Sequence, residues 1–208
     1  MPLQNRVTPF GTFERSSARG SLMGNRGILH DDQQNVLKTH THQNWVACAL
    51  TFKGIRRQIM APGHYTELFF LDEATALAAG HRPCARCRPA AYRDFTARWQ
   101  AVLGGAADGL SLPKTIDRAL HAARITRQRG QVTHLAEAAD LPDGTIITLD
   151  GQPQLLWQGR RYGWSFDGYR LLGSQPQGEV TVLTPAPLVA ILRAGYRPEV
   201  HGSLESAG

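Results

Sequence analysis

The chain is short of cysteine, of lysine and of long apolar runs, and each shortage narrows what it can be. Three cysteines in 208 residues are too few for the disulfide framework of a small secreted domain. No apolar stretch approaches the roughly 18–20 residues of a membrane-spanning helix. The opening MPLQNRVTPFGTFERSSARG lacks the apolar core of a secretory signal. The expectation is therefore a cytoplasmic protein with reduced thiols and no membrane partner. Internal repeats and low-complexity tracts are also missing, which excludes solenoids and disordered tails. At 42% hydrophobic residues, the chain has material for a true core.

Lysine accounts for only 3 of the 23 basic residues; the other 20 are arginine. Arginine suits planar, bidentate contacts with phosphate. The net charge of +6 is unevenly spread: residues 1–104 carry 13 basic against 7 acidic groups, and residues 105–208 carry 10 of each. Residues 108–129 are still at +3, so the basic surface is expected on the first 129 residues, as in nucleic-acid binders.

An α+β chain in three parts is expected. Residues 1–104 form a basic module with a small hairpin or sheet and helices, 105–130 a linker and a basic helix, and 131–208 a β-rich module packed on the first. Residues 1–44 are polar and Gly-rich, without sustained periodicity, and read as irregular. NWVACALTF (44–52) and IRRQIM (55–60) are β-prone around Lys53-Gly54 and predict a hairpin; YTELFF (65–70) predicts another strand. Asp72 is placed to cap a helix EATALAAG that stops at Gly80. A helix follows over 90–103, and another over 113–130 with Pro113 in its first turn. From about residue 143, GTIITLDG, QLLWQG, RYGWSFDG, YRLLG and EVTVLTP, each closed by Gly or Pro, predict a small antiparallel sheet or partly open barrel. PLVAILRAG (187–195) predicts a closing helix.

The densest chemistry lies in HRPCARCRP (81–89). A redox C-x-x-C is expected to open a helix, whose dipole lowers the first thiol. Here the pair follows a helix and is boxed by Pro83 and Pro89. A zinc knuckle fits better, because C-x-x-C sets two thiolates on one edge of a turn.

DEATALAAGHRPCARCRP (72–89) resembles the end of the zinc-binding N-terminal domain of the bacterial Ada DNA-repair protein. That domain closes with a helix, a Gly-aromatic-Arg-Pro turn and Cys-x-Arg-Cys-x-Pro. The likeness runs over about residues 65–89, with YTELFFLD in the place of the family's strand. It implies that Cys84 and Cys87 are the last two zinc ligands and that His81, in the usually aromatic slot, is a packing residue. The family's upstream pair of cysteines four residues apart, one of which accepts a methyl group, is represented only by Cys48. The resemblance therefore implies the zinc scaffold rather than methyl transfer.

Three thiolates leave one position on zinc. His30 in GNRGILHDD is the first candidate, followed by His40, His42 and His64, and a water is the other alternative. The expected metal set is Cys48, Cys84, Cys87 and His30. Arg26, Arg56, Arg57, Arg82, Arg86, Arg88, Arg93 and Arg124 are the candidate nucleic-acid contacts, with Trp45, Tyr65 and Tyr92 as stacking or core aromatics. Asp117 and His121 at i and i+4 form a carboxylate-histidine pair; with His30 they are the candidate catalytic residues. The leading expectation is a zinc-containing DNA-binding protein of repair or modified-DNA processing, with DNA favoured over RNA. Two alternatives stay open at this point: a hydrolytic enzyme, as a nuclease on a zinc-knuckle scaffold, and an RNA-binding module with structural zinc.

Overall fold

A computed structural model describes residues 1–54 and 58–207 of the chain. Among the described residues, the fold is mixed α+β, with four α-helices and two six-stranded sheets. The first sheet holds β1 (Gln4–Val7), β2 (Phe13–Arg15), β3 (Leu22–Asn25), β4 (Val46–Ala49), β5 (Leu68–Phe70) and β6 (Arg82–Pro83), in the order β2-β1-β5-β3-β4-β6. Its pairings are mixed: β1–β5 and β4–β6 are parallel, the others antiparallel.

Why DEATALAAG is so rich in alanine becomes clear from α1 (Glu73–Ala78). All six of its residues are buried. A helix enclosed on every side must be small or apolar except where its polar side chains are bonded, as Glu73 and Thr75 are. Ala74 and Ala78 pack with Ile146, Leu155 and Leu183 of the C-terminal part. Ala76 joins Val7, Leu22 and Phe70. Leu77 meets Phe95, Trp99, Ile116 and Leu188. Three core clusters thus converge on one short helix. The Asp72 carboxylate caps it, accepting from Thr75 N–H at 2.9 Å, the arrangement that satisfies an orphan donor of the first turn.

The helices α2 (Pro89–Leu103) and α3 (Leu112–Arg124) follow, and α2 buries Phe95 and Trp99. The second sheet contains β7 (His134–Glu137), β8 (Ile146–Leu149), β9 (Gln152–Trp157), β10 (Arg160–Ser165), β11 (Gly168–Ser174) and β12 (Glu179–Val182). It runs β11-β10-β9-β8-β12-β7, antiparallel throughout. Asp150-Gly151 between β8 and β9 has φ of 51° and 73°. Paired left-handed residues make the two-residue turn whose twist matches the strands. The last helix is α4 (Ala186–Arg193).

Two buried carboxylates tie the parts together. Asp72 accepts from Tyr169 O–H and His201 N–H. Glu73 accepts from Arg88, from Tyr196 O–H at 2.7 Å and from Glu199 N–H. Burial raises the Asp72 carboxyl despite these donors, so the capping group sits at an electrostatic cost.

Three expectations change. Residues 1–44 contain β1, β2 and β3, strands of three or four residues, too short for a periodic signal. β4 pairs with β3 and β6; of the expected partner segment 55–60, residues 58–60 are not strand and 55–57 lie outside the described residues. The α3 helix ends at Arg124, not Gly130, because Ile125 takes extended backbone and bridges Gln131. The C-terminal strands form the antiparallel sheet expected of them; its end strands among the described residues are β11 and β7, so it is not a closed barrel.

Candidate metal centre and its surroundings

Cys48 stands 36 residues before Cys84, and the first sheet removes that distance. β4 and β6 pair in parallel, with Val46 beside Arg82 and Ala47 beside Pro83. One residue further, this register sets Cys48 alongside Cys84. The Cys84 N–H donates to Ala47 carbonyl at 3.0 Å, which pins the knuckle to the strand. The chain then turns, with Arg88 N–H on Cys84 carbonyl at 3.0 Å, and enters α2 at Pro89. The sulfurs of Cys48, Cys84 and Cys87 all lie within 4.8 Å of one another. Such a group can hold a metal ion, since three sulfurs this close together can all reach one cation once deprotonated.

The local electrostatics favour thiolate at Cys84. The Cys48 thiol donates to it, the N–H groups of Cys87 and Arg86 point at the same sulfur, and its pKa is lowered to about 4 although burial opposes this. Cys48 is raised, chiefly because it keeps its proton in that bond and because it is buried. Cys87 is raised by burial against an opposing bond from Ala49 N–H. Backbone N–H donors aimed at sulfur stabilise negative charge there, as a cluster of metal ligands needs. Beside the cluster lies a cavity of about 680 Å³, bordered by Cys48, Cys87, Asn25, Tyr65, Glu67 and Arg86.

The structure places His30 elsewhere. Its Nε2 donates to Ala61 carbonyl at 3.3 Å and its Nδ1 shares a 2.6 Å bond with Thr66 Oγ1. Both ring nitrogens therefore have protein partners, and His30 does not belong to the cysteine group. Asp31 folds onto its own loop, accepting from Gln33 and Asn35 N–H. His42 bonds Asn25 through Nε2 at 3.1 Å. His64 is exposed on its loop.

Nor does α3 bring Asp117 to His121. Both Asp117 oxygens accept from Arg82, at 2.7 and 2.8 Å, while the His121 ring packs against His40 and Trp45. Spacing at i and i+4 permits a helical contact, but a buried guanidinium offers a carboxylate two charge-assisted bonds in place of one.

The proposed nucleic-acid arginines divide by burial. Arg26 and Arg124 are each 2% exposed, Arg82 is 6% and Arg88 is 8%. Arg82 is held by Asp117 and Arg88 by Glu73 at 2.8 Å; Arg26 and Arg124 lie over the Trp45 ring, at 4.0 and 3.8 Å from its centre. These four do not present their guanidinium groups to a backbone passing outside. Arg86 and Arg93 are exposed, on the knuckle and on α2. Arg56 and Arg57 lie outside the described residues. Trp45 is buried, as is Trp99; Tyr92 is half-buried, with the Arg82 guanidinium 5.5 Å from its ring centre.

The interior cluster of Trp45, Arg26, Arg124 and His81 was missed by sequence reasoning. Arg26, Trp45, His81 and Arg124 come from four separate segments, so no local spacing announces them. Gly80 is the one local signal. It has φ of +80°, and a Cβ there would lie 2.4 Å from Arg124 Cδ, so the glycine that ends the turn also admits the arginine. The resulting class is a mixed α+β protein with a three-cysteine group that can hold a metal ion and, apart from it, an arginine-rich interior. Comparison with protein-family models, with curated proteins and with solved structures returns no match. Among the described residues, no helix is long and apolar enough to cross a membrane.

Proposed function

We propose that the protein is a zinc-containing DNA-binding protein that acts in repair or in the processing of modified DNA. The observation that carries the metal half is the three-cysteine group with its N–H···S donors. Cys48, Cys84 and Cys87 would hold the ion, and an all-sulfur set selects zinc over hard cations such as Mg²⁺. Bound there, zinc would lock β4, the knuckle and the start of α2 into one rigid corner.

The DNA half rests on charge and placement. The net charge is +6, and Arg86, which is exposed, sits between two of the ligands. An arginine on a metal-fixed turn meets a phosphate with little loss of freedom. Arg93 stands one turn further along α2. The cavity next to Cys48 and Cys87 gives a nucleic acid held by these arginines a place to insert a group. The nuclease reading is less supported, because Asp117 is committed to Arg82 and His30 to Thr66 and Ala61.

Elemental analysis of the purified protein should find one zinc per chain, lost in Cys84→Ser. Fluorescence anisotropy with a short duplex should show binding that weakens steeply with salt. Arg86→Ala with Arg93→Ala should lower that affinity and flatten its salt slope while zinc content stays the same. Absence of zinc overturns the metal assignment, and absence of binding at low salt overturns the DNA assignment.

A further inference from the structure

A second cavity, of about 590 Å³, lies at the other end of the β3–β4 pair from the cysteines. Arg26, just after β3, and Trp45, just before β4, form part of its wall, with Arg124 from the end of α3. Arg129 and Lys38 complete the charge at its border, and no aspartate or glutamate lines it. Both border cations are exposed.

The two interior guanidiniums are unusual in their company. Among the described residues, neither Arg26 nor Arg124 forms an ion pair. Arg26 donates to Gly11 carbonyl at 2.9 Å, to Ala79 carbonyl and to His81 Nε2. Arg124 donates to Gly80 and Gln43 carbonyls, and its buried Nε–H has no acceptor. Each guanidinium carries five N–H donors, so about half of the ten are without a protein acceptor. Desolvation and the mutual repulsion of the two groups push Arg26 well below its ordinary value. A buried charge costs several kcal/mol unless a counter-charge accompanies it. The neighbouring carboxylate, Asp117, is already engaged by Arg82. An anion entering the cavity would supply both guanidiniums with a counter-charge.

We infer that the cavity bounded by Arg26, Arg124, Arg129 and Lys38 binds a planar ring that carries a phosphate monoester, a nucleotide in chemical class. A phosphate monoester carries close to two negative charges at neutral pH, which match the two interior guanidiniums. Arginine forks favour such oxygens. The remaining wall includes Phe10, Phe13 and Val36; Phe13 has the Arg26 guanidinium 4.9 Å from its ring centre, and the half-buried Phe10 gives a ring an apolar surface to lie on. Trp45 has its own role: its ring is already covered by Arg26 and Arg124, so it holds them in position for the phosphate. The volume falls within the roughly 300–1,000 Å³ of small-ligand sites. The nucleotide has two sources, a free mononucleotide or the 5′-phosphorylated end of a nucleic acid. The inference stands apart from the metal and the exposed arginines of the proposed function.

Isothermal titration calorimetry with adenosine 5′-monophosphate, adenosine, and a ten-nucleotide single strand with and without a 5′-phosphate tests it. The monophosphate is expected to bind with one site per chain and adenosine to bind more weakly. The exposed double variant Arg129→Glu/Lys38→Glu should weaken monophosphate binding by about tenfold or more, with an unchanged circular dichroism spectrum. A 5′-phosphorylated strand that competes with the monophosphate, where the 5′-hydroxyl strand does not, identifies a nucleic-acid end as the source. Monophosphate binding without such competition identifies the free nucleotide. The proposal is overturned if neither phosphorylated probe binds, if adenosine binds as well as its monophosphate, or if the charge-reversed border leaves affinity unchanged.

Discussion

Removing the carboxylate at position 117 should be among the most damaging single changes in the chain. Asp117 receives both of its short bonds from Arg82, and the two side chains are only 11% and 7% exposed. It is also the carboxylate nearest in effect to Arg124, whose pKa it raises against the lowering by burial. Asp117→Ala leaves Arg82 charged, buried and unpaired. Breaking such a pair costs about 3–5 kcal/mol, a large part of the roughly 5–15 kcal/mol that holds a domain folded. Urea unfolding followed by circular dichroism measures it: with a slope of about 2 kcal/mol/M, the midpoint should fall by about 1.5–2.5 M. The companion variant Arg82→Met/Asp117→Leu removes both charges and should cost less than Asp117→Ala alone, because no uncompensated ion remains. If Asp117→Ala stays within about 1 kcal/mol of the parent, or if the double variant is the worse of the two, the reasoning fails.

Other changes follow from the same contacts. Tyr196→Phe removes a 2.7 Å donor from buried Glu73 and should cost about 1–3 kcal/mol, read by the same unfolding experiment. Gly80→Ala forces a Cβ to within 2.4 Å of Arg124 Cδ at a left-handed backbone; a loss above about 1 kcal/mol is expected, and a neutral result would show that the arginine moves aside freely. His81 is fully buried and its pKa is held well below 6.5, by burial first and then by Arg26 and Arg124. The unfolded chain therefore takes up a proton that the folded chain refuses, and stability falls as pH drops below about 6.5. His81 alone should contribute a loss of about 1.4 kcal/mol between pH 7.5 and 5.5; His81→Gln should show a correspondingly shallower decline than the parent, and equal declines would contradict the assignment.

How much was legible in the sequence depends on how far apart the partners lie along the chain. The Asp72 cap, the stop at Gly80, the 89–103 helix and the C-terminal strands were all visible, since each rests on contacts within a few residues. The short strands β1, β2 and β3 were not, because three or four polar or Gly-containing residues set no period; they become strands only when β1 pairs with β2 and β5, and β3 with β4 and β5. β4 illustrates the same limit, as its partners β3 and β6 lie far from it along the chain.

The site divides along the same line. Cys84 and Cys87 could be paired from a two-residue gap between prolines, since a tight turn brings them together wherever it sits. That Cys48 stands beside them was settled by the parallel register of β4 and β6, in which a 36-residue separation closes to a few ångströms. An arginine in a sequence is a charge, and the composition fixed how many there are and in which half they lie. Whether it faces a phosphate or the core is decided by what the fold puts next to it. Arg82 found Asp117, Arg88 found Glu73, and Arg26 and Arg124 found Trp45, because a buried guanidinium must have a carboxylate, a carbonyl or an aromatic face within reach.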